Sequence, residues 1–276
     1  VVPAEFHYIT DPACEKSWAV EPILRRLEWE FDGELRVKRT MAGMARSFSG
    51  AESDRLGSWI DAAASSGMPF DPRIWRENPP QGTYPACLAV KAAAEQGADQ
   101  EGRFLRRLRE AIMCERHSPG SVGGFEALAA EAGLDVRRFG IDLESTATLE
   151  AFGSDLETAE RAGARDGDLP VALFLPLASI AGKAVPGVAA DVHRAGAGED
   201  YGAWRATALA AGARTVNPDR PALDQAFDRF GRLAGPELSA LTGLPEPVLE
   251  AELWAGAREW RYRPRRILTG TLWEPA

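Results

Sequence analysis

The chain has 276 residues, of which 45% are hydrophobic and 26% charged, ordinary values for one large globular domain or two modest ones. Its 27 glycines and 19 prolines fall short of a low-complexity or fibrous composition. A net charge of -9 argues against a non-specific polyanion binder.

Glu5 to Thr10 (EFHYIT) is rich in aromatic and β-branched residues and reads as a first strand. Asp11-Pro12 makes a turn, after which Val20, Leu24, Leu27 and Phe31 recur at helical spacing, with Ile23 widening the stripe. Pro22 removes an N–H from inside this helix and should kink it. Asp32-Gly33 ends it, and Leu35 to Met41 (LRVKRTM) is a second strand. Two strands joined by a helix should lie parallel with a right-handed crossover.

From about Phe48 to Ala164 the pattern is helical, with helices expected near 51–64, 85–96, 102–114, 123–132 and 146–163 and turns such as Asn78-Pro79-Pro80 and Gly133-Leu134-Asp135 between them. Strand chemistry returns at Val171 to Leu175 (VALFL) and near Ser179 to Val188, followed by a helix near Tyr201 to Ala211. The longest apolar stretch, Leu169 to Gly182, is broken by Pro170 and Pro176 and is shorter than the ~20 residues a membrane helix needs, so no membrane association is expected. Asn217 to Pro221 reads as a linker. Beyond it, helices at 222–233, 236–241 and 247–260 and a hairpin about Thr269-Gly270 follow the order of a winged-helix-like module. The expected architecture is α/β, with a sheet domain from 1–47 and 165–215, a helical insert from 48–164 and a C-terminal module from 216–276.

Chemistry concentrates at Asp11-Pro12-Ala13-Cys14-Glu15-Lys16-Ser17-Trp18. Cys14 ends a strand turn and begins a helix, where unpaired backbone N–H groups and the helix dipole favour an anion; that lowers a thiol pKa and supplies thiolate near neutral pH. Lys16 assists the charged form and Glu15 opposes it. Ser17, one turn on, can hydrogen-bond the Cys14 sulfur. It cannot act as a second thiol, so an oxidised Cys14 needs another molecule to resolve it. A buried cysteine is the plainer reading of such a residue, but the strand–cysteine–helix setting with its flanking prolines favours a functional one.

Three segments, FHYITDPACEKSWAVEPILRRL, TYPACLAVKAAAEQG and GDLPVALF, together with the terminal TGTLWE, resemble the DsbA-type thioredoxin-fold proteins in their cytoplasmic FrnE-like branch. The resemblance implies a thioredoxin-like fold with a large inserted helical domain and a thiol-disulfide oxidoreductase or isomerase activity. It implies Cys14 as nucleophile, Ser17 in place of the resolving cysteine, Pro170 as a cis-proline facing the thiol, and Leu169 as the residue whose backbone pairs with a bound peptide. Trp18, beside the motif, is expected to contact substrate. The implied partners are a thiol- or disulfide-containing protein or a small thiol, with a homodimer compatible. No cofactor is expected beyond a low-molecular-weight thiol. Two other readings stay open: a peptide-binding adaptor or chaperone-like module, since adaptors for the Clp protease occur among such proteins, and an enzyme like glutathione transferase kappa or a related isomerase.

Cys87 and Cys114 are read as core residues. With Cys14 they make an odd, scattered set that points to reducing cytoplasm rather than a disulfide scaffold. The Cys114-x-x-His117 spacing lacks further ligands for zinc, and no metal is expected. His7 is read as a hydrogen-bonded sheet residue, and the Gly67 to Pro72 stretch with Trp75 as core, with a groove above Cys14 as its alternative role. Arg258, Arg261, Arg263, Arg265 and Arg266 form the densest basic cluster, but residues 216–276 carry 8 basic and 9 acidic side chains. An interdomain or oligomer contact is expected there rather than nucleic acid.

Overall fold

A computed structural model describes residues 4–164, 168–176 and 192–276. Strand β1 (Ala4–Thr10) is followed by helices α1 (Glu15–Ala19) and α2 (Glu21–Glu30) and then by β2 (Leu35–Met41). The chain returns to this sheet through β3 (Val171–Pro176) and β4 (His193–Gly196), and helix α10 (Tyr201–Ala210) closes the unit. The strand order is β2-β1-β3-β4; β1 and β2 are parallel, while β3 is antiparallel to both β1 and β4. A βαβ unit joined to a ββα unit in this way is the expected thioredoxin-like arrangement. The strand expected near Ser179 to Val188 lies outside the described residues.

Both faces of the sheet are covered, which is why EFHYIT lacks a polar side. On one face Phe6, Tyr8 and Phe174 pack with Leu24, Leu27, Trp204 and Ala208. Register places Phe6 opposite Phe174, and their rings stack at 4.7 Å between centroids. On the other face Ile9, Val171, Leu173 and Leu175 meet Cys14, Ala159 and Ala162.

That second face also buries His7, hydrogen-bonded through Nε2 to the Thr40 hydroxyl. Burial, then Lys38 and Lys91, depress the imidazole to about 3. The unfolded chain binds this proton below about pH 6.5, so the neutral histidine's contribution is complete above that pH and is lost as pH falls toward 3. Comparing the urea stability of the wild type with that of His7→Gln between pH 7 and 5 should show the difference falling by about 1.4 kcal/mol per pH unit below 6.5; a pH-independent difference would contradict the assignment.

Among the described residues, seven helices intervene between β2 and β3: α3 (Glu52–Ser66), α4 (Ile74–Glu77), α5 (Tyr84–Ala94), α6 (Ala98–Glu115), α7 (Val122–Glu131), α8 (Val136–Leu143) and α9 (Thr146–Arg161). Trp59, Phe70, Trp75, Phe104 and Phe139 fill their common core. Helix α8 starts at Asp135, read from sequence only as a turn, whose side chain accepts from the Arg138 amide at 3.0 Å and caps the helix.

The C-terminal segment comprises α11 (Leu223–Phe230), β5 (Leu233–Ala234), α12 (Gly235–Thr242), α13 (Glu246–Arg258), β6 (Tyr262–Arg266) and β7 (Thr271–Pro275), with sheet order β5-β7-β6. The two-residue strand β5 joins the hairpin and completes a winged-helix-like order. The hairpin does not project outward. Thr269 accepts from the Phe70 amide through Oγ1 at 2.7 Å and donates its own amide to the Phe70 carbonyl at 3.2 Å. Arg265 pairs with Glu115, Arg263 with Glu274, and Arg261 with Glu259 and Asp224, while Arg266 lies over Trp254. Four of the five arginines of the basic cluster, Arg261, Arg263, Arg265 and Arg266, thus serve contacts within the chain.

Candidate functional site: a buried thiol at a helix start

The single helix expected from Cys14 through Phe31 is two. Pro22 stands in the first turn of α2, and the chain breaks at Val20 instead of merely kinking, because proline is well accommodated at a helix start and poorly in an interior. The break frees α1 to take its own orientation around the Cys14 turn. Asp11 builds that turn: its Oδ1 accepts from the Ala13 amide at 2.9 Å, and its Oδ2 accepts from the Met44 amide at 2.8 Å. The Cys87 thiol donates to the same Oδ2 at 3.5 Å, which gives Cys87 a supporting role.

Cys14 is the N-cap of α1, its sulfur accepting from the Ser17 amide at 3.4 Å. The thiol faces the Leu169 carbonyl at 3.9 Å, and the Leu169–Pro170 peptide bond is cis. The structure thus brings Cys14, Ser17 and Leu169 to one place. The expectation of thiolate near neutral pH is corrected: burial, then the Glu15 carboxylate, push the Cys14 thiol up to about 11, against the lowering effect of hydrogen bonds from the Ser17 hydroxyl and amide. Cys14 is only 3% exposed, and loss of hydration outweighs one helix start.

Trp18 is likewise corrected. Its indole is fully buried, donates from Nε1 to the Pro69 carbonyl at 2.9 Å, and lies 4.5 Å beneath the Arg106 guanidinium. It joins α1 to the insert and presents no face to a substrate. Cys114 donates to the same Pro69 carbonyl at 3.2 Å. Met68 and Phe70 are fully buried and Trp75 nearly so, placing this segment in the core.

Sequence reasoning missed two parts of the site. One is most of a groove of about 780 Å³ that opens on Ala13 and Glu15, the residues either side of Cys14, with Met44 to Ser49, Arg55 and Trp59 among its other walls; Trp75 also lines it, in keeping with the alternative role given to its segment. Arg55 is stacked at 4.9 Å over Trp75, giving this groove an aromatic wall with a fixed positive charge. The other is Arg109 on α6, buried and paired with Glu21 at 2.6 Å, whose Nη2 donates to Thr10 Oγ1 at 2.5 Å. Neither has a local signature, since both depend on where the insert folds back.

A cysteine capping the first helix of a βαβ unit, set against the cis-proline strand of a ββα unit, defines a thioredoxin-fold thiol site. The chain belongs to the thioredoxin family, whose model, described as Thioredoxin, matches residues 6–168. Among curated relatives, the ClpXP adapter protein SpxH of Halalkalibacterium halodurans is 34% identical over 167 residues, covering 57% of this chain and 55% of that protein. SpxH of Shouchella clausii is 33% identical over 163 residues, covering 56% and 53%. The chain therefore spans about half the length of the curated relatives it matches. Among solved structures, the cytosolic disulfide reductase DsbM of Pseudomonas aeruginosa superposes with a TM-score of 0.54 at 20% identity, covering 75% of this chain and 93% of that one. A second DsbM structure, with GSH, gives 0.52 at 22% identity over 67% and 93%. A candidate protein disulfide isomerase of Nitrosomonas europaea gives 0.61 at 18% identity over 74% and 95%. These likenesses show a thioredoxin-like fold.

Proposed function

We propose that the chain carries out thiol-disulfide exchange through Cys14 alone. The observation that carries this reading is the placement of the sulfur, which receives the Ser17 amide on one side and faces the Leu169 carbonyl on the other. In the first step Cys14 gives up its proton, its sulfur attacks one sulfur of a substrate disulfide, and the substrate S–S bond breaks. The departing thiolate takes the proton, leaving a mixed disulfide on Cys14. Ser17 supplies no resolving sulfur, so a second thiol, a low-molecular-weight one or a cysteine of the substrate, attacks the substrate's sulfur. Cys14 then leaves as thiolate and is reprotonated. The substrate backbone would lie along Leu169, with its neighbouring residues in the groove beside Ala13 and Glu15. The reducing cytoplasm suits three free thiols, and among the described residues no helix is long and apolar enough to cross a membrane.

Replacing Cys14 by Ser tests this directly. With a small disulfide as substrate and glutathione as the second thiol, exchange should fall to the uncatalysed rate, and exchange persisting at the wild-type rate would overturn the proposal. A second reading, a protein-binding adapter, is favoured by the SpxH relatives and by a thiol held at about 11, which makes a slow attacker at neutral pH. An adapter keeps its client in the Cys14→Ser variant; an exchange enzyme that traps its substrate as a mixed disulfide does not.

A further inference from the structure

A guanidinium is permanently charged, and drawing it out of water is costly unless an acid pairs with it. Arg55 on α3 is half-buried, and among the described residues no carboxylate lies within 4 Å of it, whereas every other buried or half-buried arginine there has one. What holds Arg55 is uncharged: the Trp75 ring at 4.9 Å, the Phe48 ring at 5.7 Å, and the Ser49 carbonyl, which accepts from Nη1 at 2.8 Å. Its Nε is buried without an acceptor, as is the indole N–H of Trp75, although buried donors are normally satisfied. Both residues line the groove that opens beside Cys14. Arg46, exposed and without an acidic partner, is a second cation on its walls, and Glu15 is their one acid. Two guanidinium groups against one carboxylate make the groove positive in a chain whose net charge is -9.

We propose that this groove is a subsite for a carboxylate side chain of a protein substrate, an aspartate or glutamate close in sequence to the substrate's reacting cysteine, and that Arg55 is the residue that reads it. Nη1 is engaged by the loop, which leaves Nε and Nη2, the edge on which a guanidinium takes a carboxylate with two parallel bonds. Because stacking on Trp75 and Phe48 already fixes the side chain, little further rotamer freedom is lost when the pair forms. Glu15 beside the thiol disfavours an anion there, so the carboxylate belongs at the Arg55 end. The groove's volume of about 780 Å³ falls in the range of ~300–1,000 Å³ that holds a drug-sized ligand. The groove and the Leu169 carbonyl reach Cys14 through different residues, so an occupant that uses both is a chain extending past its cysteine, which selects a peptide over a compact small thiol. The subsite deepens the exchange reading and rests on it for its chemistry.

The test uses end-blocked peptides whose single cysteine is joined by a disulfide to 2-thiopyridine, with Glu, Gln or Lys placed one to three residues to either side. The Cys14 sulfur attacks the peptide sulfur, the S–S bond to the pyridine breaks, and the released thiopyridone is read by its absorbance, with Cys14→Ser as the blank for Cys87 and Cys114. At one or more positions Glu should react about tenfold faster than Gln, the scale of a hydrogen bond to a charged group, and Lys more slowly than Gln. The Glu-to-Gln ratio should fall to near one in Arg55→Met and invert in favour of Lys in Arg55→Glu. An Arg55 that only pinned the loop would change all rates alike and keep the ratio. If Arg55→Met fails to fold, Arg55→Lys decides: it keeps the charge but not the planar edge, so its ratio should lie between that of the wild type and one. Equal Glu and Gln rates at every position, or a ratio that stays at the wild-type level in these variants, would overturn the proposal. So would an Arg55-dependent advantage of the glutathione pyridyl disulfide over its diethyl ester that no peptide shares, which would give the groove to a small thiol. If Cys14 reacts with no peptide, calorimetry with serine in place of the peptide cysteine reads the subsite alone: Arg55-dependent binding of the Glu peptide would keep the subsite and lose the proposed exchange, and no binding would lose both.

Discussion

Replacing Glu237 by alanine is expected to destabilise the folded chain by about 3–5 kcal/mol, the cost of leaving a buried charge without its partner. Glu237 is fully buried at the start of α12. Its carboxylate accepts from Arg106 at 2.6 and 2.9 Å, from Arg25 Nε at 3.3 Å and from the Ala234 amide at 2.7 Å. Alanine removes four acceptor contacts at once and leaves three donor groups inside the protein. Glu237→Gln keeps an acceptor for the Ala234 amide but not the charge, so it should fall between the wild type and alanine. By contrast, breaking the exposed Arg229–Asp32 pair should change stability by no more than about 1 kcal/mol. Urea unfolding of the whole chain measures all three; a loss below 1 kcal/mol for Glu237→Ala would show that Arg106 finds sufficient compensation from Glu21 and Glu110.

This cluster marks where sequence reading stops. The strand, turn, cysteine and helix start around Cys14 are legible because they are local: an Asp-Pro turn, an apolar strand before it and a helical stripe after it. The return of the chain at Leu169-Pro170 is legible for the same reason. Arg106, Arg109 and Glu237 read on the page as charges on separate amphipathic helices, and charges are usually solvated. Only the packing of α12 on α2, with Arg106 and Arg109 of α6 reaching the Glu21 and Glu237 carboxylates, makes them partners. The thiol pKa fails from sequence for a related cause. The local helix start signals a stabilised anion, but the groups that exclude water from Cys14, such as Leu169, Ala159 and Met44, come from distant segments. The orientation of Trp18 was hidden by one residue: Pro22 splits the helix, so Trp18 packs into the core of the insert while Val20, Leu24 and Leu27 pack under the sheet.

Trp18→Ala is accordingly expected to be as disruptive as Glu237→Ala, at about 3–5 kcal/mol for a buried tryptophan truncated to a methyl group. Two routes from the C-terminal module converge on this ring. Glu237 holds Arg106 above its face, and Thr269 holds Phe70 next to the Pro69 carbonyl that accepts from its Nε1. Removing the indole leaves a cavity between α1 and the insert, and the Pro69 carbonyl keeps only the weak Cys114 thiol donor. Trp18→Phe retains much of the volume and loses the hydrogen bond, so its cost should be nearer 1–2 kcal/mol. The difference between the two variants separates packing from polar anchoring. Because α1 also carries Ser17 and is capped by Cys14, loosening its attachment should admit water to the thiol and raise the Cys14 alkylation rate in Trp18→Ala under conditions where the variant remains folded. If Trp18→Ala costs less than 1 kcal/mol and leaves that rate unchanged, then Trp18 does not tie the thiol helix to the rest of the chain, and the winged-helix-like module has no route to the site through it.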